Sequence, residues 1–160
     1  MPDAALLDSS RTPEQIFSGL TLFLPPLRQD DLRGMRRVGE MLYTPPVLPR
    51  WGTELRFSGS IDAEISARAG ARAARLCSHN LIVLTREELG NLDRVSQVMQ
   101  LNILVRCSPG FENVSRVADG ASEAIFEVFG SSGRHRRTVL ATAELPESAP
   151  VQVAAIIRFH

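Results

Sequence analysis

Apolar residues recur along this chain with two different periods. From Val95 to Arg106 they alternate: Met99, Leu101, Ile103 and Val105 point one way, and Gln100, Asn102 and Arg106 the other. This is the period of a strand with one buried face. Val151–Phe159 repeats the pattern through Val151, Val153, Ala155, Ile157 and Phe159. Two longer stretches carry a helical period instead. In 62–89, Ile65, Ala69, Ala73, Leu76 or Cys77, and Leu84 share a stripe, and Gly90-Asn91 closes it. In 111–129, Val114, Val117, Ala118, Ala121, Ile125 and Phe129 share another, bounded by Ser108-Pro109-Gly110 and Gly130.

Between these lie shorter elements. Residues 36–44 predict a strand through Val38, Met41, Leu42 and Tyr43, ended by Pro45-Pro46. Residues 47–52, with Pro49 and Trp51, predict a turn, and 53–61 the second half of a hairpin. Residues 137–144 predict a strand, and 145–150 a turn. Residues 1–34 read as an extension of a domain spanning 35–160. Within it Thr12 is placed to cap a short helix, with Pro13 at its first position and Gln15 closing a capping box. Gly19 and then Pro25-Pro26 keep that helix short.

The order is β-β-α-β-α-β-β, which predicts an α+β fold with two helices on one face of a sheet. The second sheet face would carry Val98, Leu104, Ala154 and Ile156. It is too apolar to stand in water, so burial against another copy of the chain is expected.

Composition narrows the chemistry. The chain has 160 residues, enough for one domain. Its 18 basic residues balance 18 acidic ones, and every basic residue is arginine. A chain without lysine has no Schiff-base lysine, no lysine-bound pyridoxal phosphate, no Walker A lysine and no Ser-x-x-Lys nucleophile. Balanced charge, with one Trp and one Tyr, offers no stacking platform for nucleic acid. Cys77 and Cys107 are too far apart for a CxxC motif and are expected as free thiols in a reducing cytoplasm. No run approaches the roughly 18 apolar residues of a membrane span. There is no GxGxxG, HExxH or GxSxG motif. Arg68, Arg72 and Arg75 share a helical face, expected to be solvated rather than an anion-binding stripe. His79 falls in a helix, His160 is terminal, and His135 sits inside Arg134-His135-Arg136-Arg137.

Three stretches resemble the RidA/YjgF family of imine and enamine deaminases: Asn91-Leu92-Asp93-Arg94-Val95; Gly120-Ala121-Ser122 through Val128-Phe129-Gly130; and His135-Arg136-Arg137-Thr138-Val139, followed by Leu145-Pro146 and Val151-Gln152-Val153. The resemblance covers roughly three quarters of the chain and implies a chorismate-mutase-like fold. It also implies a homotrimer whose sheets form an inner barrel, with sites in the clefts between subunits. Arg137 is then the residue that binds the substrate carboxylate, with the Val139 backbone N–H beside it. A planar guanidinium suits that task because it can donate two parallel hydrogen bonds. Arg136, Ser122, Phe111 and Thr44 are further candidate substrate contacts, and Thr44 and His135 are candidate catalytic groups. The resemblance implies no cofactor and no metal.

The family's pattern is broken elsewhere. Thr44-Pro45-Pro46 stands where the family has Ser-Gly-Gln, and Ala154 stands where a last-strand glutamate helps to position water. Two function classes remain open. One is a divergent enzyme acting on a small carboxylate- or carbonyl-bearing metabolite, through hydrolysis, tautomerisation or elimination of an imine, enamine or enol. The lysine-free, Arg- and Ala-rich composition fits a GC-rich bacterial gene and a role in a specialised biosynthetic pathway. The alternative is a non-catalytic trimer that binds a metabolite.

Overall fold

A computed structural model describes residues 10–160. Its main sheet has five strands in the spatial order β1-β2-β7-β5-β6: β1 (Arg36–Val38), β2 (Met41–Tyr43), β5 (Val95–Arg106), β6 (Arg136–Thr142) and β7 (Val151–Phe159). A separate ribbon pairs β3 (Arg50–Trp51) with β4 (Glu54–Leu55). The helices are α1 (Pro13–Leu20), α2 (Gln29–Arg33), α3 (Ala67–Leu89) and α4 (Val114–Phe129). Every pair in the main sheet is antiparallel except β5–β6, which is parallel and joined by the α4 crossover.

The core lies between one sheet face and the α3–α4 layer. Leu42, Leu101, Ile103, Val105, Val153 and Ile157 meet Ala73, Cys77, Leu81, Val117, Ala121 and Ile125 there. The two helices approach closely because their contact residues are small. A Cβ on Gly120 would stand 2.0 Å from the Ala71 carbonyl oxygen. Beside it the Ser78 hydroxyl donates to the Ala121 carbonyl at 2.9 Å. This seam fixes the rotation of α4 about its axis, and so decides which α4 residues face β6.

β5 and β7 keep their predicted bounds. Several other expectations change. The strand over 36–44 is a hairpin, because Gly39 turns the chain at φ 58° between β1 and β2. The turn over 47–52 holds β3, and the strand over 53–61 shrinks to the two residues of β4. α3 starts at Ala67 rather than Asp62, since Ser66 caps it by accepting from the Ala69 amide. α4 starts at Val114 rather than Phe111. Irregular pairing between β5 and β7 near Val98 and Gln100 shifts the alternation, so Val98 is buried and Met99 is 40% exposed.

Residues 10–34, read from the sequence as an extension, dock on the rest of the chain. The α1 capping box forms as expected. Glu14 accepts from Arg86 at 3.1 and 3.0 Å and from the Leu92 amide at 2.9 Å. Leu24 and Met35 are buried. The first nine residues of the extension lie outside the described range.

The second sheet face carries Val38, Met41, Tyr43, Leu104, Leu140, Ala154 and Ile156, with Val38 66% and Leu140 55% exposed. Among the described residues no helix is long and apolar enough to cross a membrane. Arg68 and Arg72 are exposed on α3, as expected of a solvated face, whereas Arg75 is half-buried and paired with Glu127 of α4.

Candidate functional site

The cleft forms where α4 lies against the start of β6. Ser115, Asp119, Ser122 and Phe126 are spaced by four, three and four residues, so they share one α4 face beside the core stripe. Gly130 ends the helix, a tight turn spans Gly130–Gly133, and the chain enters β6. Strand alternation then divides the arginine cluster. Arg137 pairs in register with buried Leu101 and faces α4, whereas Arg136 pairs with Gln100 and is exposed on the opposite face. The resulting cleft, of about 370 Å³, is lined by Asp119, Ser122, Glu123, Phe126, His135 and Arg137.

Arg137 is clamped on three sides. Nη1 lies 2.8 Å from Asp119 Oδ1 and donates to Ser122 Oγ at 3.2 Å. Nη2 donates to the Ser115 carbonyl at 3.2 Å. The Nε–H and one Nη2–H have no partner among the described residues.

His135 is held as firmly. Its Nδ1 lies 2.6 Å from the Gly133 carbonyl oxygen, and its Nε2 lies 2.9 Å from Ser122 Oγ. A carbonyl only accepts, so Nδ1 carries the proton and Nε2 of the neutral ring is a lone pair. The Ser122 hydroxyl therefore donates to Nε2 while its oxygen accepts from Arg137. Phe126 stacks on the imidazole, with centroids 5.3 Å apart and planes at 26°. Burial lowers the His135 pKa below the ordinary imidazole value. The Gly133 bond opposes that shift, and the Arg137 charge adds to it.

The structure thus brings Arg137, Ser122 and His135 together within one chain. Thr44 is elsewhere, beyond β2 and separated from β6 by β7 and β5. Its hydroxyl accepts from the Ala155 amide at 2.8 Å and donates to the Pro45 carbonyl at 3.0 Å. Val139 follows Arg137 on the same face and packs on the core, as does Phe111 in the loop before α4. Ala154 pairs with Asn102 on the open face. Sequence reading missed Asp119, Ser115, Glu123 and Phe126. Their signal was the polar stripe running beside the apolar one on α4.

The comparisons decide the family. The model described as "YjgF/chorismate_mutase-like, putative endoribonuclease" matches residues 29–156. The chain belongs to this family. The chain is also similar to Protein TCP17 of Trypanosoma cruzi, at 37% identity over 123 residues, covering 76% of this chain and 77% of that protein. Among solved structures, Atu1372 of Agrobacterium tumefaciens, a protein of unknown function, superposes with a TM-score of 0.84 at 29% identity and 92% coverage of both chains. The YjgF fold is also shared with E. coli TdcF, solved with bound serine. That match has a TM-score of 0.57 and 14% identity, over 79% of this chain and 87% of that one.

Proposed function

We propose that Arg137 anchors the carboxylate of a small metabolite in this cleft, and that the protein acts on its imine, enamine or enol form. The observation that carries this is the state of the guanidinium. Three protein groups fix its position yet leave the Nε–H and one Nη2–H free to donate to an incoming carboxylate. Asp119 is 54% exposed at its side chain and acts as an exchangeable counter-ion. It also stands where the cationic nitrogen of a protonated imine would find a partner. The serine bound in the TdcF structure indicates that this fold can hold an amino-acid carboxylate.

The cleft is shallow within one protomer. The apolar open sheet face supports a homotrimer in which a neighbouring subunit completes the site. The cleft argues against an endoribonuclease role: Arg137 is the one arginine among the described lining residues, and Asp119 and Glu123 beside it make a poor match for a phosphodiester polyanion. Ala154, in place of the family's last-strand glutamate, favours a second reading: a trimer that binds the metabolite without turning it over.

One experiment separates the two. An amino-acid oxidase generates 2-imino acids in situ, and 2-oxo acid formation is followed with wild type and with Arg137→Ala. Acceleration that depends on Arg137 supports the enzyme. Binding without acceleration supports the binder.

A further inference from the structure

We infer that Ser122 and His135 form a proton relay serving an Arg137-bound imine, so that the base lost with the family's glutamate is supplied within the same protomer. The inference rests on the reading above, and it names the group that activates water. Three features of the geometry carry it. The Gly133 carbonyl fixes the tautomer that leaves Nε2 as an acceptor. The Ser122 hydroxyl is aimed at that acceptor at 2.9 Å. Arg137 Nη1, at 3.2 Å, donates to the serine oxygen and stabilises negative charge developing on it. One lone pair of Ser122 Oγ stays free to accept from water.

Ser122 is only 6% exposed and lies mid-helix. That suits passing a proton from water better than attack on a bulky acyl group. Water oxygen adds to the carbon of the protonated imine, and the C=N π pair moves to nitrogen. The water proton goes to Ser122 Oγ as the serine proton goes to His135 Nε2, giving a neutral carbinolamine. The imidazolium then returns its proton through the same hydroxyl to the amine nitrogen. The C–N bond breaks with its electrons on nitrogen, the hydroxyl O–H pair becomes the C=O π bond, the hydroxyl proton passes to the released ammonia, and ammonium and the 2-oxo acid leave. Ser122 touches the reacting water, and His135 acts through it as a positioning and proton-holding residue.

The charged and titratable groups facing His135 are Asp119 and Glu123 from α4 and Arg137 from β6, with Arg134 and Arg136 beside it in the chain. The test therefore uses Ser122→Ala, His135→Gln, Asp119→Asn and Glu123→Gln. It measures imine hydrolysis over the buffer rate at each pH, calorimetric binding of pyruvate, and mass labelling by a fluorophosphonate. The relay predicts that Ser122→Ala and His135→Gln lose roughly 10²-fold in kcat, a scale typical of general-base assistance. Pyruvate affinity should stay within roughly threefold, well under a tenfold (1.4 kcal/mol) effect. Wild-type kcat should fall on an acid limb below pH 6.5, the ordinary imidazole value. That limb should persist in Asp119→Asn and Glu123→Gln and vanish in His135→Gln.

Pyruvate binding without any acceleration overturns the relay and leaves the carboxylate site standing. So does full activity, or a retained acid limb, in His135→Gln. A fluorophosphonate adduct on Ser122 replaces the relay with a nucleophile. Absence of both pyruvate binding and acceleration overturns the reading of the site itself.

Discussion

Arg137 and Ala154 lie on opposite faces of one sheet. Arg137 is in register with Leu101, whose side chain is buried under α4, and Ala154 is in register with Asn102 on the open face. The proposed anchor and the position of the family's carboxylate therefore do not meet within one chain. Restoring the acid by Ala154→Glu places a carboxylate on the open face. Within a single protomer it leaves the Arg137 cleft unchanged, so the variant is expected to raise turnover only through a neighbouring subunit. Steady-state kinetics at protein concentrations above and below assembly check this.

The open face itself is testable. Leu140 is 55% exposed in one chain and lies between polar Thr138 and Thr142 on the β6 edge strand. Leu140→Arg sets a charge into the proposed barrel and is expected to convert a trimer to monomers with little loss of protomer stability. Analytical ultracentrifugation distinguishes the two masses. A wild-type protein that is already monomeric at micromolar concentration rules out the assembly.

The α3–α4 seam predicts a contrast between two glycines. Gly120→Ala drives a methyl to 2.0 Å from the Ala71 carbonyl oxygen, forcing the helices apart. The expected cost is roughly 1–3 kcal/mol or more, and each kcal/mol lowers Tm by roughly 2–4 °C in a domain of this size. Gly19, near the end of α1, has nothing within 4 Å of an added Cβ. Gly19→Ala is expected to leave Tm unchanged or to raise it, since Ala favours a helix by about 1 kcal/mol over Gly. Thermal melts followed by circular dichroism check the pair. Because the seam also orients Ser122, Gly120→Ala should perturb the cleft as well.

Histidine burial predicts acid sensitivity. His79 lies on α3 near Arg75 and Glu127, and burial, followed by the Arg75 charge, pushes its pKa down to about 4 against an ordinary 6.5. The unfolded chain therefore takes up a proton at a pH where the folded chain does not. Stability is full above pH 6.5 and falls as pH drops toward about 4, by up to about 3 kcal/mol for this group. His135, also lowered, acts in the same direction. Urea titrations at neutral pH and near pH 4.5, close to the acid end of that window, should show the loss. His79→Gln should show less of it.

Where sequence reading succeeded and failed follows physical lines. β5 and β7 were legible because each is long, alternates cleanly and ends at strong breakers such as Pro109 and Pro150. The hairpin in 36–44 was not, because its turn at Gly39-Glu40 interrupts the apolar run by only two residues. Met99 was given the wrong face because a pairing irregularity adds a residue without marking the sequence. The family resemblance singles out Arg137 as the proposed anchor. Its partners on α4 were not all found, because contact between Asp119, Ser122 and His135 depends on how far α4 rotates against β6. That rotation is set where Gly120 meets Ala71 of α3, a close approach that the residue spacing on α4 does not reveal. The Ser122–His135 bond spans a helix end and a glycine turn, and spacing alone does not close it.

The most direct test of the account is a calorimetric titration of pyruvate, a minimal 2-oxo carboxylate, into wild type and Arg137→Ala. Hydrogen bonds to charged groups contribute about 1.5–3 kcal/mol, which corresponds to roughly 10–100-fold in affinity. The account predicts saturable binding by wild type and a loss of at least that order in Arg137→Ala, with both proteins melting cooperatively. Equal binding by a folded Arg137→Ala would contradict it, and the carboxylate site would then lie elsewhere on the molecule.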